Sequence, residues 1–107
     1  MELNEFKPTI ILTTTDSEEN AKRLAQHLVE ERLAACVSYY SIGSVYRWQN
    51  EIQHTSEFQL IVKCNGAQKD NLMQRIKELH TYDVPEILAL PISELSPSYL
   101  SWMKEQL

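Results

Sequence analysis

Glycine is scarce in this chain. Its 107 residues hold only two, Gly43 and Gly66. Neither G-x-G-x-x-G nor G-x-x-x-x-G-K-[ST] can be built from two isolated glycines, so the usual backbone cradles for phosphate are excluded. The same shortage removes the G-x-S-x-G elbow, and Ser17, Ser38, Ser41 and Ser44 sit in no nucleophile context. Cysteine is equally sparse. Cys36 and Cys64 form no C-x-x-C pair and no disulfide framework, and both read as reduced, small core residues. Positive charge is in deficit as well: 10 Lys and Arg stand against 15 Asp and Glu, for a net charge of −5. Nucleic acid is therefore not an expected partner, because that affinity draws on clustered basic residues. No apolar run is long enough to span a membrane, and MELNEFKPTI lacks a basic stretch followed by an apolar one. No membrane partner is expected, and the expected location is the cytoplasm.

The length suits one domain over residues 1–107. Residues 1–8 read as an N-terminal tail. TIILTTT (Thr9–Thr15) is short, β-branched and apolar, a strand. Asp16 followed by Glu19 suggests a capping box. A helical stripe of Ala21, Leu24, Ala25, Leu28 and Val29 follows, with Leu33 closing it. AACVSYYSIGSVYRW and EIQHTSEFQLIVKC are two long strand-like runs joined by Gln49-Asn50, a hairpin. Asn65-Gly66 ends the second run. Leu72, Met73, Ile76, Leu79 and His80 mark a second amphipathic helix. Pro85 keeps Val84 extended, and EILALPI is a fourth strand. Ser96-Pro97 opens a terminal helix over 97–107. The order β-α-β-β-α-β predicts an α+β, ferredoxin-like sandwich with both helices on one sheet face.

Two helices cannot cover two faces, and several strands are apolar on both. Ile10 and Leu12 oppose Ile11; Ile61 opposes Phe58, Leu60 and Val62; Leu88 and Leu90 oppose Ile87 and Ala89. Such a patch predicts an oligomer packed sheet against sheet. The hairpin of roughly 28 residues, Ala35 to Val62, exceeds what average strands of ~5–6 residues require. Its tip should project and carry Tyr46 and Trp48 onto a neighbouring subunit, and Tyr46, Trp48, Ile61 and Leu88 are the expected interface residues.

Chemistry is harder to find. His27, His54 and His80 show no H-x-H or H-E-x-x-H spacing, and His80 reads first as a helix-closing residue. Glu57 and Lys63 have even spacing on one strand and so share a face. One reading makes them an ion-pair network that sets subunit register. The other makes them part of an intersubunit pocket with His80, Tyr82, Glu86 and Arg32.

Five blocks in order carry a resemblance: EERLAACV, SVYRWQNEI, SEFQLIVK, HTYDVPEILALPI and YLSWM. Together they closely resemble the CutA family of divalent-cation tolerance proteins, over about Thr9 to Met103. The resemblance implies a homotrimer, similar in architecture to PII signalling proteins, in which the hairpin arm clasps the next subunit. It also implies a link to copper and other divalent ions, with no enzymatic activity. Some members are assigned a Cys at the end of the first strand and a His pair after the second helix as metal ligands. Thr13 and Leu79-His80 stand there in this sequence, which leaves His80 as the metal candidate. A soft copper site wants thiolate or several imidazoles, so direct copper binding is weakened. No cofactor is assigned; a divalent metal ion such as copper, or a small ligand, is the candidate. An enzyme using the Glu57, Lys63, His80 and Tyr82 cluster is the alternative, against which stands the lack of a base–nucleophile pair. An RNA-binding sheet would need a basic, aromatic strand that SEFQLIVK does not supply.

Overall fold

The structure, a computed structural model, is described for residues 5–107. Met1–Asn4, the start of the expected tail, lie outside the described residues. The elements run β1 (Pro8–Thr15), α1 (Glu18–Glu30), β2 (Cys36–Trp48), β3 (Glu51–Asn65), α2 (Lys69–Leu79), β4 (Ile87–Pro91) and α3 (Pro97–Gln106), with one 3-10 turn at Gly66–Gln68. The expected series of strands and helices is present. The four strands form one antiparallel sheet in the order β2-β3-β1-β4.

Strand register explains the two faces. Ile11 pairs with Val62 and Thr13 with Leu60, which puts them on one side with Cys64. Ala21, Leu24 and Leu28 of α1 and Leu72 and Ile76 of α2 close over that side, and all are buried. Each large aliphatic group sealed there contributes roughly 1.5–3 kcal/mol of burial. Val29, expected on the stripe, lies off it and is exposed. The next residue along each strand faces the other way. Leu12 pairs with Ile61 and Leu88, and Ile10 with Leu90, so these apolar groups share the opposite face. Leu88 and Leu90 remain 50% and 45% exposed there. α3 meets this second face where Tyr99 lies beside Cys36.

Local signals set the element ends, with one shift. The cap of α1 is Ser17, not Asp16: its hydroxyl accepts from Asn20 N at 3.1 Å. Asp16 instead accepts from the Asn20 side chain at 2.7 Å. The helix ends in a Schellman turn. Leu33 N donates to Leu28 O at 2.9 Å, and Arg32 N to Val29 O at 3.1 Å. Arg32 occupies the left-handed position at φ 58°, where glycine is usual. The hairpin turns on Gln49 and Asn50 at φ 52° and 66°, both left-handed as a two-residue primed turn demands. Ser96 caps α3, and Pro97 takes its first position. At the end of β3, Gly66 passes close under Lys7, where an added Cβ would come 3.2 Å from the Lys7 carbonyl.

Beyond Phe58 the strand β3 loses β1 as a neighbour and pairs with β2 alone. That two-stranded segment, Ile42–Trp48 against Glu51–Glu57, is an arm, and it stretches the chain to 50 × 25 × 25 Å.

The two core helices are clipped together on their outer side. Arg75 of α2 donates to both oxygens of Glu31 at 2.8 and 2.9 Å, and His27 lies 3.3 Å from the same carboxylate. The Arg75 guanidinium is the main cause that lowers the Glu31 carboxyl to about 2 from 4.5. A lowered folded value contributes stability above the unfolded carboxyl range and loses it as pH falls toward 2. Glu31→Gln is therefore expected to flatten the loss of denaturant midpoint between pH 5 and pH 2. An unchanged acid slope in that variant would refute the clip.

Candidate functional site

The loop Thr81–Glu86 leaves α2 and folds over the second face of the sheet where the arm begins. Its anchor is a chain of three hydrogen bonds. His80 Nε2 meets Thr14 O at 2.7 Å, and Tyr82 N donates to His80 Nδ1 at 3.0 Å. A carbonyl can only accept and an amide can only donate, so Nε2 carries the proton and Nδ1 the lone pair. The His80 and Tyr82 rings stack with centroids 4.9 Å apart. Tyr82, held in this way, donates its hydroxyl to Glu57 Oε2 at 2.7 Å.

Glu57 is the unusual group. It is only 7% exposed, yet its one donor among the described residues is that neutral phenol. Burial comes first, and then the Glu57 hydrogen bond and charge, in pushing the Tyr82 phenol above its ordinary value. The pair forms the floor of a cleft of about 510 Å³. Thr14 and Ser44 add polar walls, Tyr46 and Trp48 come from the arm, and Val84 and Glu86 from the loop.

Three expected pocket members fall elsewhere. Lys63 shares the Glu57 face but lies six residues, ~20 Å, along the strand. It donates to Ser38 Oγ at 3.0 Å and to Cys36 Sγ at 3.7 Å. Within one chain it cannot join Glu57. Arg32 is a turn residue whose guanidinium reaches the Gln106 carbonyl at 3.2 Å. His80 supports the cleft from beneath and does not line it. Sequence reasoning missed Thr14, Ser44 and Val84. Strand parity could have found Thr14, which pairs with Gln59 two residues from Glu57 on the same face; nothing local signals Val84.

The residues do not fit a resident divalent ion in a single chain. Among the described residues no group of three or more His, Cys, Asp and Glu could hold one. Both His80 nitrogens are engaged internally. Cys64 is buried, donates to Thr9 O, and has its thiol pushed up to about 12 by that burial. Thr13 faces the helices among the core.

The described geometry agrees with what similarity to known proteins adds. Residues 9–106 match the family described as CutA1 divalent ion tolerance protein. The chain belongs to this family. A divalent-cation tolerance protein CutA of Thermus thermophilus is 47% identical over 97 residues, 90% of this chain and 94% of that protein. The chloroplastic CutA protein of Arabidopsis thaliana is 41% identical over 89% of this chain, but the chain spans only 53% of that longer protein. A solved Archaeoglobus fulgidus structure, described as a periplasmic divalent cation tolerance protein CutA, superposes with a TM-score of 0.90. It is 34% identical and covers 92% of this chain and 97% of its own. The family description concerns ion tolerance and names no reaction. No helix among the described residues is long and apolar enough to cross a membrane.

Tyr82→Phe tests the floor of the CutA cleft. It leaves a buried carboxylate without its donor, at an expected cost of about 1–3 kcal/mol in chemical unfolding. The raised folded value of Tyr82 contributes stability that is complete below about pH 10 and lost as pH climbs through it. The phenylalanine variant should therefore lack one late-ionising tyrosine in an alkaline titration followed at the tyrosinate absorbance. An unaltered titration would show that Tyr82 is not the sheltered phenol.

Proposed function

We propose that the chain is a non-enzymatic, homotrimeric CutA protein with a ferredoxin-like core and PII-like architecture, acting in the response to divalent ions through a ligand cleft at the arm base. The buried Glu57–Tyr82 pair carries this reading. A buried carboxylate held by a phenol, which is held in turn by a histidine, is costly to keep for stability alone. The Thr14 and Ser44 hydroxyls line the cleft, but neither is hydrogen-bonded to a base among the described residues, and this favours recognition over group transfer.

The trimer rests on the uncovered sheet face. Ile10, Leu12, Ile61, Leu88 and Leu90 lie together there, and the arm offers Tyr46 and Trp48 at 42% and 47% exposure. A contiguous apolar face of this kind calls for a protein cover. The same packing would bring a second chain to the cleft, and with it a Lys63 or Arg32 that the cleft lacks within one chain. Cytoplasmic residence is supported by two free thiols, Cys36 and Cys64, which suit a reducing compartment. Copper handling through tight ligation by one chain is disfavoured by the engaged nitrogens of His80.

Sedimentation is expected to give a species of about three times the 12.5 kDa chain mass. Leu88→Glu, which places a charge in the apolar face, should release monomers. A monomeric parent at micromolar concentration would overturn the assembly. Calorimetric titration with copper should show weak binding at most, reduced further by His80→Ala. Tight copper binding that survives His80→Ala would redirect the site to Cys36 or Cys64.

A further inference from the structure

We infer that a second cavity, at the end of the sheet away from the arm, binds a small organic carboxylate, one negative charge on an apolar body. It lies where β1 begins and β4 ends, the length of β1, ~23 Å, from the arm base. Ala89 and Pro91 point to the helix side of β4, opposite Ile11 and Thr9, yet both stay exposed, so the core helices leave that corner unroofed. Leu88 and Leu90, which the proposed assembly covers, point the other way from the same strand.

The floor is preformed. Gly66 N and Thr9 Oγ1 both donate to Lys7 O, at 2.6 and 2.8 Å. Lys7 N donates to Asn65 Oδ1 at 3.0 Å, and Ile92 N to Pro8 O at 3.0 Å. Gly66 is required there, since an added Cβ would collide with Thr9 Oγ1. Phe6, Pro8 and Ile92 join Ala89 and Pro91 in an apolar wall around about 510 Å³, a volume that suits a small molecule.

Charge selects the ligand. Lys7 and Lys69 line the cavity, and neither ammonium meets an acidic partner among the described residues. Lys104, 5.8 Å from the Phe6 ring centroid, adds positive potential behind that wall. Glu5 shares the rim, so the lining groups hold a single positive charge in surplus, which matches a monoanion better than a dianion. A phosphate cradle would also need converging backbone N–H groups. Those of Gly66 and Ala67 are spent on Lys7 O and Asn65 Oδ1. What remains is ammonium beside apolar surface, the complement of a carboxylate on a hydrocarbon body.

The test follows the backbone amides of the full, isotope-labelled chain by NMR at pH 7. Gly66 lines the cavity, while Gly43, the only other glycine, lies on the arm and serves as the reference. Benzoate, neutral benzamide, cationic benzamidine, acetate and inorganic phosphate are titrated separately. Benzoate should move the Gly66 amide saturably, leave Gly43 in place, and weaken with added salt. It should bind at least about tenfold more tightly than benzamide, as one charge-assisted contact provides. Acetate, which lacks the apolar body, should bind more weakly than benzoate. Lys7→Gln combined with Lys69→Gln, both at exposed positions, should erase the preference for benzoate over benzamide. Glu5→Gln should strengthen benzoate binding several-fold. Benzamide or benzamidine binding as tightly as benzoate, or a preference unchanged in the double variant, overturns the carboxylate. Phosphate saturating the Gly66 shift at a lower concentration than benzoate overturns it in favour of a bare anion. A Gly43 shift in step with Gly66 overturns the location. A Gly66 amide that no probe moves while the chain stays folded removes the site, and leaves the reading of the arm-base cleft untouched.

Discussion

Strand β3 is fifteen residues long, and its pairing register governs where everything else lies. Its last eight residues have β1 on one side, six of them with β2 on the other, while its first seven have β2 alone. Because side chains alternate strictly, one register sends Phe58, Leu60, Val62 and Cys64 to the helices. The same register sends Glu57, Gln59, Ile61 and Lys63 to the other face. A slip of one residue would exchange the two sets, burying Lys63 and a carboxylate under α1 and α2. The apolar core therefore pins the position of Glu57 although Glu57 takes no part in it.

Alternation made much of this legible from the residues. The opposed sets Ile87/Ala89 and Leu88/Leu90, and the lone Ile61, fell on the faces expected of them. The turn at Gln49-Asn50 and the start of α3 at Ser96-Pro97 were legible because left-handed turns and helix caps demand particular side chains. Parity tells the face but not the distance along it. Glu57 and Lys63 share a face and still stand ~20 Å apart, so Lys63 drops out of the expected cluster within one chain while Glu57, Tyr82 and Glu86 meet. Asp16 and Ser17 are both good caps, and only backbone geometry chooses between neighbours. The loop Thr81–Glu86 has no period at all; the pocket reading put Tyr82 with Glu57, but the contact between them is made by tertiary packing that no local pattern encodes.

His80 shows how one residue can look like a ligand and act as a support. At the end of α2 its ring lies between β1 and the loop, and it satisfies a strand carbonyl and a loop amide in a single tautomer. The Thr14 carbonyl it uses belongs to a residue whose partner strand also carries Glu57 two positions away. The imidazole thus ties loop position to sheet register, and through Tyr82 to the carboxylate.

Ion tolerance, the property that describes the family, and the donor set of this chain pull in different directions. A protein that stored ions by itself would gather thiolates, imidazoles or several carboxylates at one point. Here the thiols are separated, Cys36 beside Lys63 and Cys64 under the helices, and the imidazole is occupied. What the chain gathers instead is aromatic surface and negative charge at the arm base, next to a sheet face left uncovered. Those two features share one strand, since Glu57 and Ile61 point the same way from β3. Covering the face with another copy would lower the local dielectric around Glu57 and strengthen every electrostatic contact made in the cleft. In the proposed assembly, recognition and subunit contact would be coupled by geometry: an occupant of the cleft would bear on the same strand that the second copy would grip.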